Sequence, residues 1–385
     1  MSACKKDTHP DKIDLTVGAY RDNNGKPQVL NAIREAEKLI FEEKLNHEYL
    51  PQDGEAQFLE GSQRLFFGDD SKCLQENRVY SIQGISGTGS LTLGFAFIKK
   101  HFPEGTTVYI PSTTWANHVN MCNSNGLNTA RYRYLDGSGC ALDFDGLIED
   151  LSACPEGSVI LLHMCAHNPT GVDPSDEQWL KILDVIKSRK LLPFFDNAYQ
   201  GFVSGDPTKD ALPARLFAST GLEMMASCSF AKNFGLYGDR IGALHVVASK
   251  AENVPKLASQ IRVISRVIYS TPPLHGARIV GKVIGSPSLY KMWEGECKGM
   301  ADRITAARNK FYSGLVSNNV KGTWDHVIAQ RGMFSFTGIP ADVVKRLREE
   351  YHIYMLENGR ISVAGLNDGN IDRFVKALKE TMGTN

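Results

Sequence analysis

A large doubly wound α/β domain with a smaller α+β domain beside it is the fold this sequence predicts. Three observations carry the prediction. Short apolar runs alternate with amphipathic segments through the middle of the chain. Several of those runs are continuously apolar, as strands buried on both faces of a parallel sheet are. After about residue 285 the alternation gives way to a long helical pattern and then a mixed tail.

The runs Val79–Ile82, Thr107–Pro111, Ala130–Leu135, Ser158–Met164, Leu192–Phe195, Met225–Phe230 and Gly242–Val247 read as strands. The clearest helix between them is Asp176–Arg189. Ser175 and Gln178 match a capping box there, and Trp179, Ile182, Leu183 and Ile186 share one face. Ser86-Gly87-Thr88-Gly89 reads as a glycine-rich turn ahead of a helix Leu91–Phe102. Ser286-Pro287-Ser288 opens a long helix to about Ser317 that links the two domains. The tail reads as strand Met333–Phe336, helix Asp342–Tyr351, strand Ile361–Ala364 and helix Ile371–Met382.

Composition narrows the function classes. The chain has 385 residues, with Lys+Arg and Asp+Glu both 43, so it carries no bulk signature of nucleic-acid or membrane binding. No apolar run reaches the roughly 18 residues of a membrane span. The start, Met1 to Asp7, lacks the apolar core of a signal peptide, and the chain reads as cytosolic. Eight cysteines form no C-x-x-C pair and match no zinc spacing, so they read as buried thiols, with no metal site expected.

The chemistry concentrates at strand ends. Lys232 follows the buried run Met225–Phe230, where the carboxyl ends of strands in an open α/β sheet bind ligands. Desolvation at such a place favours the neutral, nucleophilic amine. An isolated lysine would read as a solvent-facing loop residue. Asp196 changes that reading, because it ends another buried strand and a carboxylate there needs a cationic partner or a role. A Schiff-base lysine and a carboxylate for a pyridine nitrogen are what a pyridoxal phosphate site requires. Ser86, Gly87 and Thr88 stand just ahead of a helix and offer backbone N–H groups to an anion at its N-terminus. Ser229 and Arg240 complete a phosphate cradle, and Trp115 follows a further strand end where it can stack on a ring.

Asn168-Pro169-Thr170-Gly171, Asp196-Asn197-Ala198-Tyr199 and Ser229-Phe230-Ala231-Lys232-Asn233-Phe234-Gly235-Leu236-Tyr237-Gly238-Asp239-Arg240 together resemble the fold-type I class I aminotransferases, and within them the aspartate aminotransferase subfamily. The resemblance runs from Val17-Gly18-Ala19-Tyr20-Arg21 to Arg360–Leu366, and the order and spacing of its motifs are specific. It implies pyridoxal 5'-phosphate as cofactor and a catalytic set of Lys232, Asp196 and Tyr199. It implies that Asn168 and Tyr199 bond the ring's phenolic oxygen and that Ser86, Gly87, Thr88, Ser229 and Arg240 hold the phosphate. Trp115 stacks on the ring, and His118 backs Asp196. Arg360 clamps the substrate α-carboxylate, and Gly18 shapes the mouth. Tyr49 and Arg266 reach across a homodimer, to the partner's phosphate and to the second substrate carboxylate. The implied domains are 30–290, and 1–29 with 291–385. Two departures stand out. About seventeen residues precede Gly18, fewer than the family usually has, which bears on the arm that embraces the partner. Gly238-Asp239 also replaces the commoner Asn-Glu.

The implied reaction is ping-pong transfer of the amino group of L-aspartate to 2-oxoglutarate. The nearest alternative is an aromatic-amino-acid aminotransferase, since such enzymes can retain the arginine at Arg266. A nucleotide-binding oxidoreductase is disfavoured, because no G-x-G-x-x-G stands at a first βα turn. A catalytically silent binding protein on the same scaffold is disfavoured by the intact Lys232 and Asp196.

Overall fold

The computed structural model describes residues 2–385; Met1, the first residue of the segment read for a signal peptide, lies outside it. The predicted α/β class holds. Seven strands form the main sheet: β2 (Val79–Ile85), β3 (Thr107–Pro111), β4 (Asn128–Tyr132), β5 (Val159–His163), β6 (Leu192–Asn197), β7 (Met224–Ser229) and β8 (Ile241–Val247). Their order is β2-β8-β7-β6-β5-β3-β4, parallel except for β8, which runs antiparallel to both neighbours. Every residue of β5, β7 and β8 is buried, which explains why their runs are largely apolar with no alternating polar face.

The reversed β8 positions the site. Its register sets Ile85 against Ile241 on one side and Ser229 against Gly242 on the other. The start of β8 therefore meets the carboxyl ends of β2 and β7, and Ser86, Ser229 and Arg240 gather at one edge. A Cβ at Gly242 would stand 2.6 Å from the Ser86 carbonyl carbon and 2.7 Å from the Cys228 oxygen. Only glycine lets the three strands close so tightly.

Two smaller sheets carry the rest. β1 (Ile13–Asp14) pairs in parallel with β10 (Ile353–Tyr354), and β9 (Phe334–Phe336) pairs antiparallel with β11 (Arg360–Ser362). Ser362 N–H donates to the Leu15 carbonyl at 2.8 Å, so the N-terminal segment closes this layer. The helix Pro287–Ser317 is capped by Ser286. It packs against the helices Asn31–Glu42 and His275–Gly285, and also against Ile371–Met382. The Ser175/Gln178 capping box forms, with bonds of 3.2 and 2.8 Å. All eight cysteines are free thiols, and all but Cys140 are buried.

Most strand ends shift by a residue or a few, and three differences have a clear physical reason. Ser86–Gly89 is the first turn of the helix Ser86–His101, not a turn before it. Ser86 takes φ +58°, which drops the chain into the helix directly off β2. The strand expected at Ala130–Leu135 is Asn128–Tyr132, because its pairing with β3 ends at Pro111↔Tyr132 and this partly exposed edge strand has a weak apolar signal. The strand expected at Ile361–Ala364 begins at Arg360 and ends at Ser362, where a 3-10 turn takes over. Among the described residues no helix is long and apolar enough to cross a membrane.

Candidate active site

A cavity of about 330 Å³ opens at the carboxyl edge of the main sheet. Gly18, Ser86, Gly87, Thr88, Trp115, Asn168, Asp196, Tyr199, Ser229, Lys232, Arg240 and Arg360 all line it, so nearly every residue singled out from sequence meets there. Tyr49 and Arg266 do not. Both are exposed on this chain and lie outside the cavity, and Tyr49 is 83% exposed.

One end of the cavity is built for an anion. The helix Ser86–His101 has no side-chain cap, so its first N–H groups lack a side-chain acceptor there. Ser86 and Ser229 hydroxyls stand 3.1 Å apart, and the Ser86 N–H donates to the Arg240 carbonyl at 3.0 Å. Ser86 and Arg240 both adopt φ +58°, a left-handed conformation that costs a residue with a Cβ about 1–2 kcal/mol. A Cβ on Gly87 would come within 3.2 Å of the Ser229 Cβ. Small residues thus keep the cradle open while the Arg240 side chain supplies charge.

The middle of the cavity holds Lys232 and Asp196. Burial lowers the Lys232 ammonium pKa, against the opposing pull of Asp196. Burial works to raise the Asp196 carboxyl, but the hydrogen bond from His118, with the neighbouring imidazoles and Lys232, holds it below its usual range. Behind Asp196 runs a chain of polar contacts that fixes the tautomers. Asn168 N–H donates to His163 Nδ1 at 3.3 Å. His163 Nε2 then donates to Thr114 Oγ1, which donates to His118 Nδ1, both at 2.9 Å. His118 Nε2 donates to Asp196 Oδ2 at 3.0 Å. In this order His163 accepts at Nδ1 and donates from Nε2, the pattern of a neutral ring. Burial pushes the His163 pKa down to about 3, in agreement.

The far end carries Arg360. Its guanidinium lies 4.3 Å from the Phe334 ring centroid, donates to the Thr16 carbonyl at 3.0 Å and reaches Asn168 Oδ1 at 3.4 Å. Its Nε is buried without a partner. Burial lowers its pKa. Asn168 Nδ2 reaches the Tyr199 hydroxyl at 3.5 Å, and burial raises the Tyr199 pKa.

Sequence reasoning missed His163, Thr114 and Phe334 as parts of the site. The signal for His163 was present, because it ends β5 and its register partner on β6 is Asp196. Thr114 and Phe334 had none, since only the fold brings them to His118 and Arg360. The donor set as a whole suits a phosphorylated aromatic ring. The cradle would suit a dianion, Asp196 would face a ring nitrogen, and Arg360, with an unpartnered Nε, would have a donor for a carboxylate.

The cavity has the parts of a class of enzyme that works through an amine nucleophile beside an anion site. Comparison with known proteins supplies the family. The profile described as "Aminotransferase class I and II" matches residues 10–378. A protein of Dictyostelium discoideum named "Aspartate aminotransferase, cytoplasmic" is 47% identical over 381 residues, covering 99% of this chain and 86% of that one. The solved aspartate aminotransferase of Saccharomyces cerevisiae cytoplasm superposes with TM-score 0.96 at 42% identity, covering 99% of this chain and 94% of that one. An aromatic-amino-acid aminotransferase of Burkholderia pseudomallei, solved covalently bound to pyridoxal phosphate, gives TM-score 0.96 at 39% identity, covering 99% and 95%. The chain belongs to the class I and II aminotransferase family.

Proposed function

We propose that this protein is a pyridoxal-phosphate-dependent aminotransferase that moves the amino group of L-aspartate to 2-oxoglutarate, giving oxaloacetate and L-glutamate. The observation that carries the reading is the sharing of one cavity by Lys232, Asp196 and a guanidinium with an unpartnered nitrogen, Arg360. Likeness to enzymes named for aspartate supports the substrate. Bound pyridoxal phosphate supplies an electron sink for the charge that develops at the substrate α-carbon.

The chain's own residues do the remainder. Ser86, Gly87, Thr88, Ser229 and Arg240 hold the phosphate. Asp196, oriented by His118 and Thr114, keeps a proton on the ring nitrogen. Asn168 and Tyr199 bond the ring oxygen, and Trp115 covers the ring. Arg360 clamps the α-carboxylate with a charge-assisted fork. Lys232 Nζ holds the cofactor between turnovers and, once free, carries the proton off the substrate α-carbon. Gly18, on the segment held by Arg360 and Tyr237, shapes the mouth.

A two-fold dimer completes each site in this reading. Tyr49 and Arg266 lie outside their own cavity, and Phe41 and Val267, close to them in sequence, are each 83% exposed. Symmetry would bring Tyr49 to the partner's phosphate and Arg266 to its second substrate carboxylate. Residues 30–290 form the cofactor domain, and 1–29 with 291–385 the domain that carries Arg360. The compartment we assign is the cytoplasm, which cell fractionation tests.

The deciding experiment is a panel of amino donors with 2-oxoglutarate, together with the visible spectrum. The expected result is a yellow protein that prefers aspartate. Preference for tyrosine or phenylalanine would make it the aromatic enzyme instead. A colourless, inactive protein that ignores added pyridoxal phosphate would overturn the reading. Subunit exchange tests the dimer. Lys232→Ala and Arg266→Ala chains, each nearly inactive toward aspartate, should on mixing regain about a quarter of wild-type activity with it, because half the dimers are mixed with one intact site of two. No recovery in confirmed mixed dimers would sink the shared site.

A further inference from the structure

Asn168 reaches into the cavity from the turn Cys165–Asp173, between β5 and the helix Asp176–Ser188. Both ends of this turn are held by one side chain. Asp173 accepts the Ala166 N–H on Oδ2 and the His167 N–H on Oδ1, each at 2.8 Å. Ala166 sits at φ +50°, a left-handed conformation that its Cβ disfavours. The carboxylate therefore holds a strained residue two positions ahead of Asn168. The next residue, His167, is fully buried. It stacks 3.9 Å from the Tyr134 ring, and its Nδ1 meets Thr170 Oγ1 at 2.7 Å.

The same turn carries the opposite wall of the cavity. Arg331 N–H donates to the Gly171 carbonyl at 2.6 Å. A Cβ on Gly171 would stand 2.9 Å from both the Arg331 and Phe334 carbonyl oxygens, and one on Gly332 only 2.3 Å from the Ala166 Cβ. Phe334 in turn supports Arg360. Burial pushes the Asp173 carboxyl up to about 6, against the two N–H bonds and the Arg331 charge, with Asp210 acting in the same direction as burial. Tyr134, Cys165 and His167 are the other titratable groups around it. None of them makes an ion pair with it within 4 Å, so what the carboxylate binds is backbone.

We propose that Asp173 is a positioning residue for the transamination. By pinning the backbone of Ala166 and His167 it fixes Asn168 against the cofactor's ring oxygen, although it lines no part of the cavity itself. The inference rests on the function proposed above. Removing one acceptor should loosen Asn168 and weaken its bond to the ring oxygen. That bond favours the deprotonated form of the bound cofactor.

The test is Asp173→Asn in the full-length holoenzyme. Its amide keeps one acceptor oxygen and loses the other. Three readouts are needed: amide exchange of the 165–169 segment by mass spectrometry, the pH midpoint of the visible absorption change, and kcat and KM. Exchange in that segment should rise about tenfold, as expected for one lost bond to a charged acceptor. The absorption midpoint should move up by about half a pH unit or more. The value of kcat/KM for aspartate should fall about tenfold or more. On an Asn168→Ala background the same substitution should add little to the midpoint shift, because both changes act through one contact. A lower melting temperature with an unmoved midpoint, or full additivity with Asn168→Ala, overturns the proposal and leaves Asp173 a stabilising residue only. Should Asp173→Asn fail to fold, Asp173→Glu, which keeps the charge but misplaces it by a methylene, carries the same comparison. A wild-type protein with no visible band overturns the function itself, whereas unchanged segment exchange in the variant refutes the clamp alone.

Discussion

The two ends of the cavity are built in opposite ways. The lysine end rests on seven strands of one sheet, and its residues are set by register: Ser229 against Gly242, Ile85 against Ile241, His163 against Asp196. The arginine end rests on strands of two or three residues and on an N-terminal segment tied by isolated hydrogen bonds. The first end is rigid because any displacement breaks several ladders at once. The second meets the sheet side through separate contacts rather than a ladder, such as the Arg331 N–H on the Gly171 carbonyl at 2.6 Å and the Tyr20 N–H on the Tyr237 hydroxyl at 2.8 Å. In the function proposed above, the chemistry of Lys232 and Asp196 falls on the first end and the grip of Arg360 on the α-carboxylate falls on the second.

The sharpest way to break this comparison is Lys232→Ala. Turnover should drop by several orders of magnitude, since the nucleophile and proton carrier are the same amine. The fold should persist and pyridoxal phosphate should still bind through the cradle, as near-native circular dichroism and cofactor retention on a desalting column would show. Wild-type turnover would refute the assignment.

At the other end, Arg360→Ala should weaken every amino donor alike, because all share the α-carboxylate. Arg266→Leu should weaken aspartate and 2-oxoglutarate by about 2–5 kcal/mol while sparing phenylalanine. Steady-state kinetics with the two donors separate them, and equal losses in Arg266→Leu would show that this residue reads no side-chain carboxylate.

Acid should act on the rigid end first. Burial pushes both His163 and His245 from 6.5 down to about 3. Below pH 6.5 the unfolded chain takes up protons that these folded imidazoles refuse. Stability is therefore whole above that pH and declines as pH falls toward 3, by up to about 1.4 kcal/mol per unit for each group. Denaturant midpoints followed from neutral pH to about pH 4 would show the decline, and a flat profile would contradict it.

The smallest effect expected is for Ser175→Ala. Loss of the capping box should cost about 1 kcal/mol of stability and leave kinetics unchanged. A kinetic effect would mean that the helix after the Asn168 turn bears on the cavity more directly than its packing suggests.

The contrast also explains what the sequence disclosed. Lys232 and Asp196 were legible because each follows a buried apolar run, so local pattern and strand end coincide. Arg360 was legible only through resemblance, since a two-stranded ladder leaves little periodicity to read. Thr114 and His163 are 49 positions apart and Asp196 lies 78 from His118, so the polar chain behind the cofactor site exists only once the sheet is assembled. The start of the helix at Ser86 was hidden because its glycines and serine mimic a loop. Those residues are small because Ser229 and Ile85 crowd them, not because the chain is irregular there.

Gly242 makes the same point as a question of mutational tolerance. Nothing lies within 4 Å of where a Cβ would stand at Gly238, yet four residues later the same added methyl would collide with the Ser86 carbonyl carbon at 2.6 Å. In a saturation library the first position should accept many side chains and the second almost none. The anion cradle thus depends on a residue with no side chain of its own, and an alanine there would reshape it without altering any group that touches the ligand.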